Sequence, residues 1–218
     1  MVIYTQIRGK KGKMVAQRIP AAGFVLVGGQ SRRMGRDKAL LEFAGQPLFL
    51  RVADLLQPYV EEVTLLGSVA RYAGFGLAVL EDQHPGQGPL GALYSGLRNS
   101  SCDWNLFFAC DLPFLKRRLV EILLERTSET TAQAIVPKVG DRWQPLCAAY
   151  HRSCLSSIEV LMKRSENLSL VGLLSVLHVD VLTPGPSESL RAWEEMFLNV
   201  NTPEQWEQVQ CGVSAVVQ

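Results

Sequence analysis

One stretch constrains this chain more than any other: residues 23 to 38, GFVLVGGQSRRMGRDK. Its first part, Phe24-Val25-Leu26-Val27, is an apolar run that reads as a short buried strand. The run stops at Gly28-Gly29. Glycine permits positive φ in a tight turn, and it removes the side chains that would keep backbone N–H groups from a ligand. Arg32, Arg33, Arg36 and Lys38 then place four cations within seven residues. Bare amides and cations directly after a buried strand suit a polyphosphate. The competing reading is a surface turn with solvated arginines. Two familiar loops are excluded. A Walker A loop needs Ser or Thr after its Gly-Lys, and Lys38 here stands between Asp37 and Ala39. The dinucleotide fingerprint needs Gly-x-Gly-x-x-Gly, whereas these glycines are adjacent and then six positions apart.

The rest of the chain alternates strand and helix patterns. Leu48, Val52, Leu55 and Leu56 recur at helical spacing behind Pro47, up to about Gln57. Strands are expected at 62–66, 77–80, 104–109, 134–137, 146–150 and 176–182. Helices are expected at 92–98, around Leu119-Ile122-Leu123, at 153–164, and from Pro203, with Thr202 as N-cap and Gln205 closing a capping box. This alternation predicts an α/β sandwich with a mostly parallel sheet. With 218 residues, 47% of them hydrophobic, one domain with a sizeable core is expected, over 22–210. Residues 1–21 are read as a basic, disordered leader, or as an extension before a start near Met14; residues 211–218 are read as a tail.

Net charge is +1, which gives no reason to expect nucleic acid or an acidic membrane as partner. No apolar run spans a bilayer, and no apolar region follows the basic leader as a secretory signal requires. Five cysteines without a C-x-x-C fit reduced thiols in a cytoplasm. Cys147, His151 and Cys154 lack the further pair a zinc site needs.

Three loops follow three apolar strands: 28–38, 82–91 and 111–113. In a parallel sheet all three open on one edge, where ligands bind. Asp111 emerges directly after Leu106-Phe107-Phe108-Ala109-Cys110. Its carboxylate suits Mg²⁺, which takes one or two carboxylates together with phosphate oxygens. It equally suits the N-cap of a helix after Pro113. Asp82 also ends a strand, as a nucleotide contact or as a turn residue. The glycine-rich segment 86–91 is read as a loop that lets a base or sugar approach backbone.

These segments together resemble the molybdenum cofactor guanylyltransferases, within the sugar-phosphate-type nucleotidyltransferases. Gly28-Gly29-x-Ser31-x-Arg33-Met34-Gly35-x-Asp37-Lys38 looks like their signature. Glu81-Asp82 with Gly88-Pro89-Leu90-Gly91, Ala109-Cys110-Asp111-Leu112-Pro113, Gln144-Pro145-Leu146 and Asn199-Val200-Asn201-Thr202-Pro203-Glu204 are similar to the later motifs, in order. The resemblance implies a Rossmann-like three-layer fold of the nucleotide-diphospho-sugar transferase type. It implies that GMP passes from GTP to the terminal phosphate of molybdopterin or Mo-molybdopterin, with release of pyrophosphate. Leu26, Val27 and Gly28 would lie along the guanine nucleotide. Lys38 would contact the phosphates, Asp82 the nucleotide, Asp111 both nucleotide and Mg²⁺, and Asn201 the pterin side. Arg33 and Lys38 would stabilise the leaving pyrophosphate. Other molybdenum-cofactor biosynthesis proteins and molybdoenzyme chaperones are implied as partners.

The phosphate nucleophile is already anionic near neutral pH, so no general base is demanded. His84, His151 and His178 stand outside the motifs and are read as surface or packing residues. Related cytidylyl-transferring enzymes commonly carry Ala-Gly where this chain has Gly28-Gly29, and the smaller residue leaves room for a purine. Two positions depart from the family pattern. Val27 stands where the family usually has Ala, and a nucleotide-contacting Asn expected after the second strand aligns with Leu66 or Gly67. The alternatives are cytidylyl transfer to molybdopterin, nucleotidyl transfer to another small phosphate, and a non-catalytic GTP-binding adaptor. Intact Lys38 and Asp111 argue against the adaptor.

Overall fold

In the computed structural model, residues 5–8, 14–17, 20–28, 35–84, 86–164, 169–185 and 189–216 are described, the backbone alone for 5–8, 14–17 and 211–216. Ala21–Leu26 forms β1, buried at every position. A strand with no polar residue cannot leave one face in water, and β1 accordingly lies inside the sheet. It pairs in parallel with β2 (Val63–Leu66), which carries β3 (Ala78–Leu80), also parallel. On its other side β1 pairs in parallel with β4 (Trp104–Ala109). β5 (Ala134–Val139), β6 (Arg142–Trp143), β7 (Cys147–His151) and β8 (Val179–Leu182) follow in the chain. The order is β6-β5-β7-β4-β1-β2-β3, with β8 on β5. β7 runs antiparallel to β4 and to β5, β6 is antiparallel to β5, and β8 is parallel to β5. The expected mostly parallel sheet therefore carries two reversed strands.

Helices cover both faces. They are α1 (Leu48–Leu56), α2 (Val69–Tyr72), α3 (Gly88–Asn99), α4 (Arg117–Thr127), α5 (Cys154–Arg164), α6 (Leu170–Leu174), α7 (Leu190–Met196) and α8 (Pro203–Val216). Alternate residues of the central strands feed two cores. Val25, Leu106 and Phe108 join Phe49, Val52, Leu119 and Leu123 from α1 and α4. Phe24, Leu26 and Phe107 join Leu90, Leu93, Leu97 and Ile158 from α3 and α5. The Phe24 and Phe107 rings stack with centroids 4.8 Å apart. Each such buried ring contributes about 1.5–3 kcal/mol by leaving water. Cys147 packs in the first core and Cys154 in the second, on opposite faces. Burial pushes the Cys154 thiol up to about 12.

The structure departs from the sequence reading in several places. α3 begins at Gly88, inside the glycine-rich segment read as a loop; Pro89 sits in its first turn, where no N–H is needed. α4 begins only at Arg117, capped by Lys116, so Asp111 caps no helix. The turn before α1 is a hairpin of Glu42–Phe43 with Gln46–Pro47, and both Ala44 and Gly45 take positive φ, as a two-residue hairpin requires. α2, α6 and α7 were not foreseen, and α8 runs on past residue 210 to Val216. Within the leader, Thr5–Arg8 pairs antiparallel with Met14–Gln17 as a separate two-stranded sheet. No described helix is long and apolar enough to cross a membrane.

A third cluster gathers Leu41, Phe43, Leu48, Val200 and Trp206. It holds the start of α8 against the segment that follows Lys38. The capping box at α8 is displaced by one residue. Gln205 N–H donates to Thr202 Oγ1 at 3.3 Å as expected, but Gln205 Oε1 accepts from Asn201 N–H at 2.7 Å.

Candidate active site

β1, β2, β3 and β4 are parallel, so their carboxyl ends reach one edge of the sheet. The segments that leave them enclose a cavity of about 650 Å³. Its lining follows the strand order: Asp111 after β4, Leu26, Val27 and Gly28 at the end of β1, Leu66 and Gly67 at the end of β2, and Asp82 after β3, with Lys38, Gly86, Gly88 and Pro89 completing it. Antiparallel β7 starts at this same edge. The Leu146 carbonyl accepts the Ala109 N–H at 2.8 Å and brings Leu146 to the rim.

Lys38 opens a single 3₁₀ turn, Lys38–Leu40, capped by Asp37, whose carboxylate accepts from Ala39 N–H at 3.1 Å. Ala39 is buried beneath the turn, which leaves the Lys38 side chain aimed at the cavity. Lys38 Nζ lies 3.6 Å from Asp111 Oδ2 and donates to Asn201 Oδ1. The Asp111 carbonyl accepts from Val200 N–H at 3.0 Å, which fixes the 199–201 segment beside the end of β4. About a fifth of each of the Lys38 and Asp111 side chains is exposed. Burial raises the Asp111 pKa above the ordinary carboxylate value; attraction to Lys38 pulls the other way and only partly offsets it. Adjacent Cys110 is pushed far up, first by burial and then by the Asp111 and Asp37 charges, so it stays a neutral thiol.

Asp111 suits Mg²⁺ on donor chemistry. It offers one hard oxygen group at the mouth of a space large enough for a triphosphate, whose oxygens and water complete the shell. Among the described residues no cluster of three metal-binding side chains forms.

Asp82 lines the cavity, but its carboxylate also braces the loop before α3. Its Oδ1 accepts from His84 N–H at 2.9 Å and lies 3.2 Å from the Ser95 hydroxyl. Leu26, Val27, Gly28, Lys38, Asp82 and Asp111 thus meet around one space. Asn201 reaches it through Lys38. Arg33 lies outside the described residues, as do Gly29, Ser31, Arg32 and Met34.

Gly28 and Gly67 are bare for different reasons. A Cβ at Gly28 would meet only ordinary contacts, 3.6 Å from the Leu66 carbonyl oxygen and 3.8 Å from Gly67 Cα. Among the described residues nothing requires glycine there, and the room opens on the cavity. A Cβ at Gly67 would stand 2.6 Å from Val27 Cγ2, which it cannot do. The branched side chain at 27 thus occupies the place of a side chain at 67. Gly67→Ala alone is expected to cost about 1–3 kcal/mol by overpacking. The double variant with Val27→Ala is expected to be more stable than the summed singles by about 1–2 kcal/mol in urea unfolding. Additive singles would show that this contact does not keep residue 67 bare.

Asp37, Arg71 and Tyr72 also belong to the site and were not singled out from sequence. Asp37 Oδ2 lies 2.7 Å from Arg71 Nη1 and 2.7 Å from the Tyr72 hydroxyl. Asp37 stood inside the glycine-rich motif without a role. Tyr72 gave no signal, since a four-residue helix has no periodicity to read.

A family model described as the MobA-like NTP transferase domain matches residues 23–178. A protein of Pelotomaculum thermopropionicum named probable molybdenum cofactor guanylyltransferase is 33% identical over 186 residues, 85% of this chain and 89% of that one. One of the same name from Halalkalibacterium halodurans is 33% identical over 189 residues, 84% of this chain and 93% of that one. Among solved structures, the molybdopterin-guanine dinucleotide biosynthesis protein A of Archaeoglobus fulgidus is similar with a TM-score of 0.73 at 25% identity, over 89% of this chain and 99% of that one.

Proposed function

The chain belongs to the MobA-like NTP transferase family, and we propose that, as a nucleotidyltransferase of molybdenum cofactor biosynthesis, it transfers GMP from GTP to the terminal phosphate of molybdopterin or Mo-molybdopterin. The observation that carries this reading is the ion pair of Lys38 with Asp111 in the lining of a cavity that also exposes the bare backbone of Gly28 and Gly67. A phosphate oxygen of the pterin forms a bond to the α-phosphorus of GTP. The bond from that phosphorus to the bridging oxygen breaks, and pyrophosphate leaves.

Such a step asks the protein for position and charge, not for covalent chemistry. The wall at Leu26 to Gly28 receives the nucleoside, and the missing Cβ at Gly28 leaves space for a purine. Lys38 faces the phosphates and neutralises charge that grows on the leaving group; Arg33 keeps the same role from the sequence. Asp111 would hold Mg²⁺, which when bound would polarise the α-phosphate and offset its charge. Asp82 supports the nucleotide from the segment after β3, and Asn201 orients Lys38 toward the pterin side. A cytoplasmic location is supported by the unpaired state of all four described cysteines.

The test incubates the protein with Mg²⁺, molybdopterin and each nucleoside triphosphate, and follows pyrophosphate. Release with GTP alone is expected. Release with CTP and none with GTP overturns the guanylyl reading in favour of cytidylyl transfer. GTP binding without release from any pair identifies a nucleotide-binding adaptor.

A further inference from the structure

The Tyr72 side chain is buried, its ring edge-on to Phe49 with centroids 5.5 Å apart. Its hydroxyl lies 2.7 Å from Asp37 Oδ2 and 3.0 Å from the Val27 carbonyl oxygen. One proton is thus offered to two acceptors. Burial and the Asp37 carboxylate raise the Tyr72 pKa, so the hydroxyl keeps its proton at any working pH. Residues 27 and 37 are the two flanks of the glycine- and arginine-rich loop. One is the end of the strand that walls the cavity. The other caps the turn that presents Lys38. Arg71 and the Ala39 N–H fill further acceptor sites of Asp37, so the carboxylate is held from three sides.

We propose that Tyr72 is a positioning residue for the transfer reaction. By joining Asp37 to the Val27 carbonyl, its hydroxyl sets the distance between the phosphate-facing Lys38 and the backbone that receives the nucleoside. The inference rests on the reading that the cavity takes a nucleoside triphosphate. It goes beyond that reading by naming what holds the two halves of the site in register. A triphosphate spans both halves, so a misplacement of about 1 Å between them weakens contacts at both ends, and misplacement on this scale can cost about a hundredfold in rate.

Tyr72→Phe removes the hydroxyl and keeps the ring. It is expected to weaken equilibrium binding of GTP with Mg²⁺ by about tenfold or more, and to lower kcat/KM to match. Tm should fall modestly, since the two acceptors lose their shared donor. Phe49→Leu is the packing control: it disturbs the same ring contact but leaves the hydroxyl bonds, so it should lower Tm while binding and turnover stay within about twofold of the unsubstituted protein. Tyr72→Phe combined with Asp37→Asn should bind GTP no more weakly than Asp37→Asn alone, because both changes break one linkage. GTP binding within twofold in Tyr72→Phe, or a binding loss in Phe49→Leu equal to that in Tyr72→Phe, overturns the positioning role. An unsubstituted protein that binds GTP yet releases no pyrophosphate contradicts the guanylyl-transfer reading alone, and the Tyr72 comparison is then decided by binding. An unsubstituted protein that binds no nucleoside triphosphate overturns both.

Discussion

Replacing Asp111 with asparagine is expected to lower Mg²⁺-dependent pyrophosphate release by about two to three orders of magnitude, the scale seen when a single transition-state contact is removed. The backbone is untouched by the change. The Asp111 carbonyl still accepts from Val200 N–H, and Lys38 keeps Asn201. The charge is lost, and one carboxylate oxygen becomes an NH₂ donor that cannot ligate a metal. The same variant carries a second expected result, in stability without metal. Burial raises the folded-state pKa of Asp111 above its unfolded value. A carboxyl with a raised folded pKa favours folding fully below its unfolded pKa and loses that contribution as pH rises through the folded pKa. At neutral pH ionised Asp111 therefore works against the fold, and asparagine should leave Tm unchanged or higher. The gain should vanish as pH falls below the unfolded carboxylate value. Thermal unfolding across that window checks the sign. Unchanged turnover in the asparagine variant would refute the metal role. A Tm lowered at neutral pH and restored in acid would mean that attraction to Lys38 outweighs burial.

Lys38→Met should be as damaging to turnover, again by about two to three orders of magnitude. It differs in its pH signature. Lys38 is the largest influence that lowers the Asp111 pKa. Without it only a backbone hydrogen bond still opposes burial, and the Asp111 carboxyl rises further. The ionised form that can hold a metal then appears only at higher pH, so the acidic limb of the residual activity should move upward. Nearly additive losses in the Lys38→Met and Asp111→Asn double variant would argue that the two act independently. A combined loss well short of the product is expected, because each single change already breaks the shared charge arrangement. An acidic limb that does not move separates Lys38 from the ionisation of Asp111.

Much of this was legible because buried parallel strands read as unbroken apolar runs, and the residues after them are therefore conspicuous. Asp111 after Leu106–Cys110 and Gly28 after Phe24–Val27 are the clearest cases, and both line the cavity. What the sequence concealed depends on contacts far apart in the chain. Lys38 and Asn201 are separated by 163 positions, and no local pattern predicts their bond. The Gly67 backbone is set by a methyl group of Val27 on the neighbouring strand. Tyr72 reaches Asp37 from a helix too short to show a face. The reversal of β7 was hidden for a different reason. Its sequence is buried like its neighbours', and burial pattern alone does not tell a strand's direction. The start of α3 was misplaced because glycine and proline signal loops more often than helices, yet proline is at home in a first turn.

The ties from Val200 to the Asp111 carbonyl and from Asn201 to Lys38 have a consequence for how the molecule comes into being. Chains emerge from the ribosome in order, and early parts begin to fold while later parts are still unmade. The strands that end at Leu26, Leu66, Leu80 and Ala109 precede Val200 by some ninety to more than 170 residues. A nascent chain can lay down this edge of the sheet and the glycine-walled side of the cavity with its lysine still without Asn201. The partner that orients it is translated long after them. Maturation of the site is thus coupled to synthesis as far as Asn201, and an abortive product ending before residue 199 lacks the part that sets its lysine.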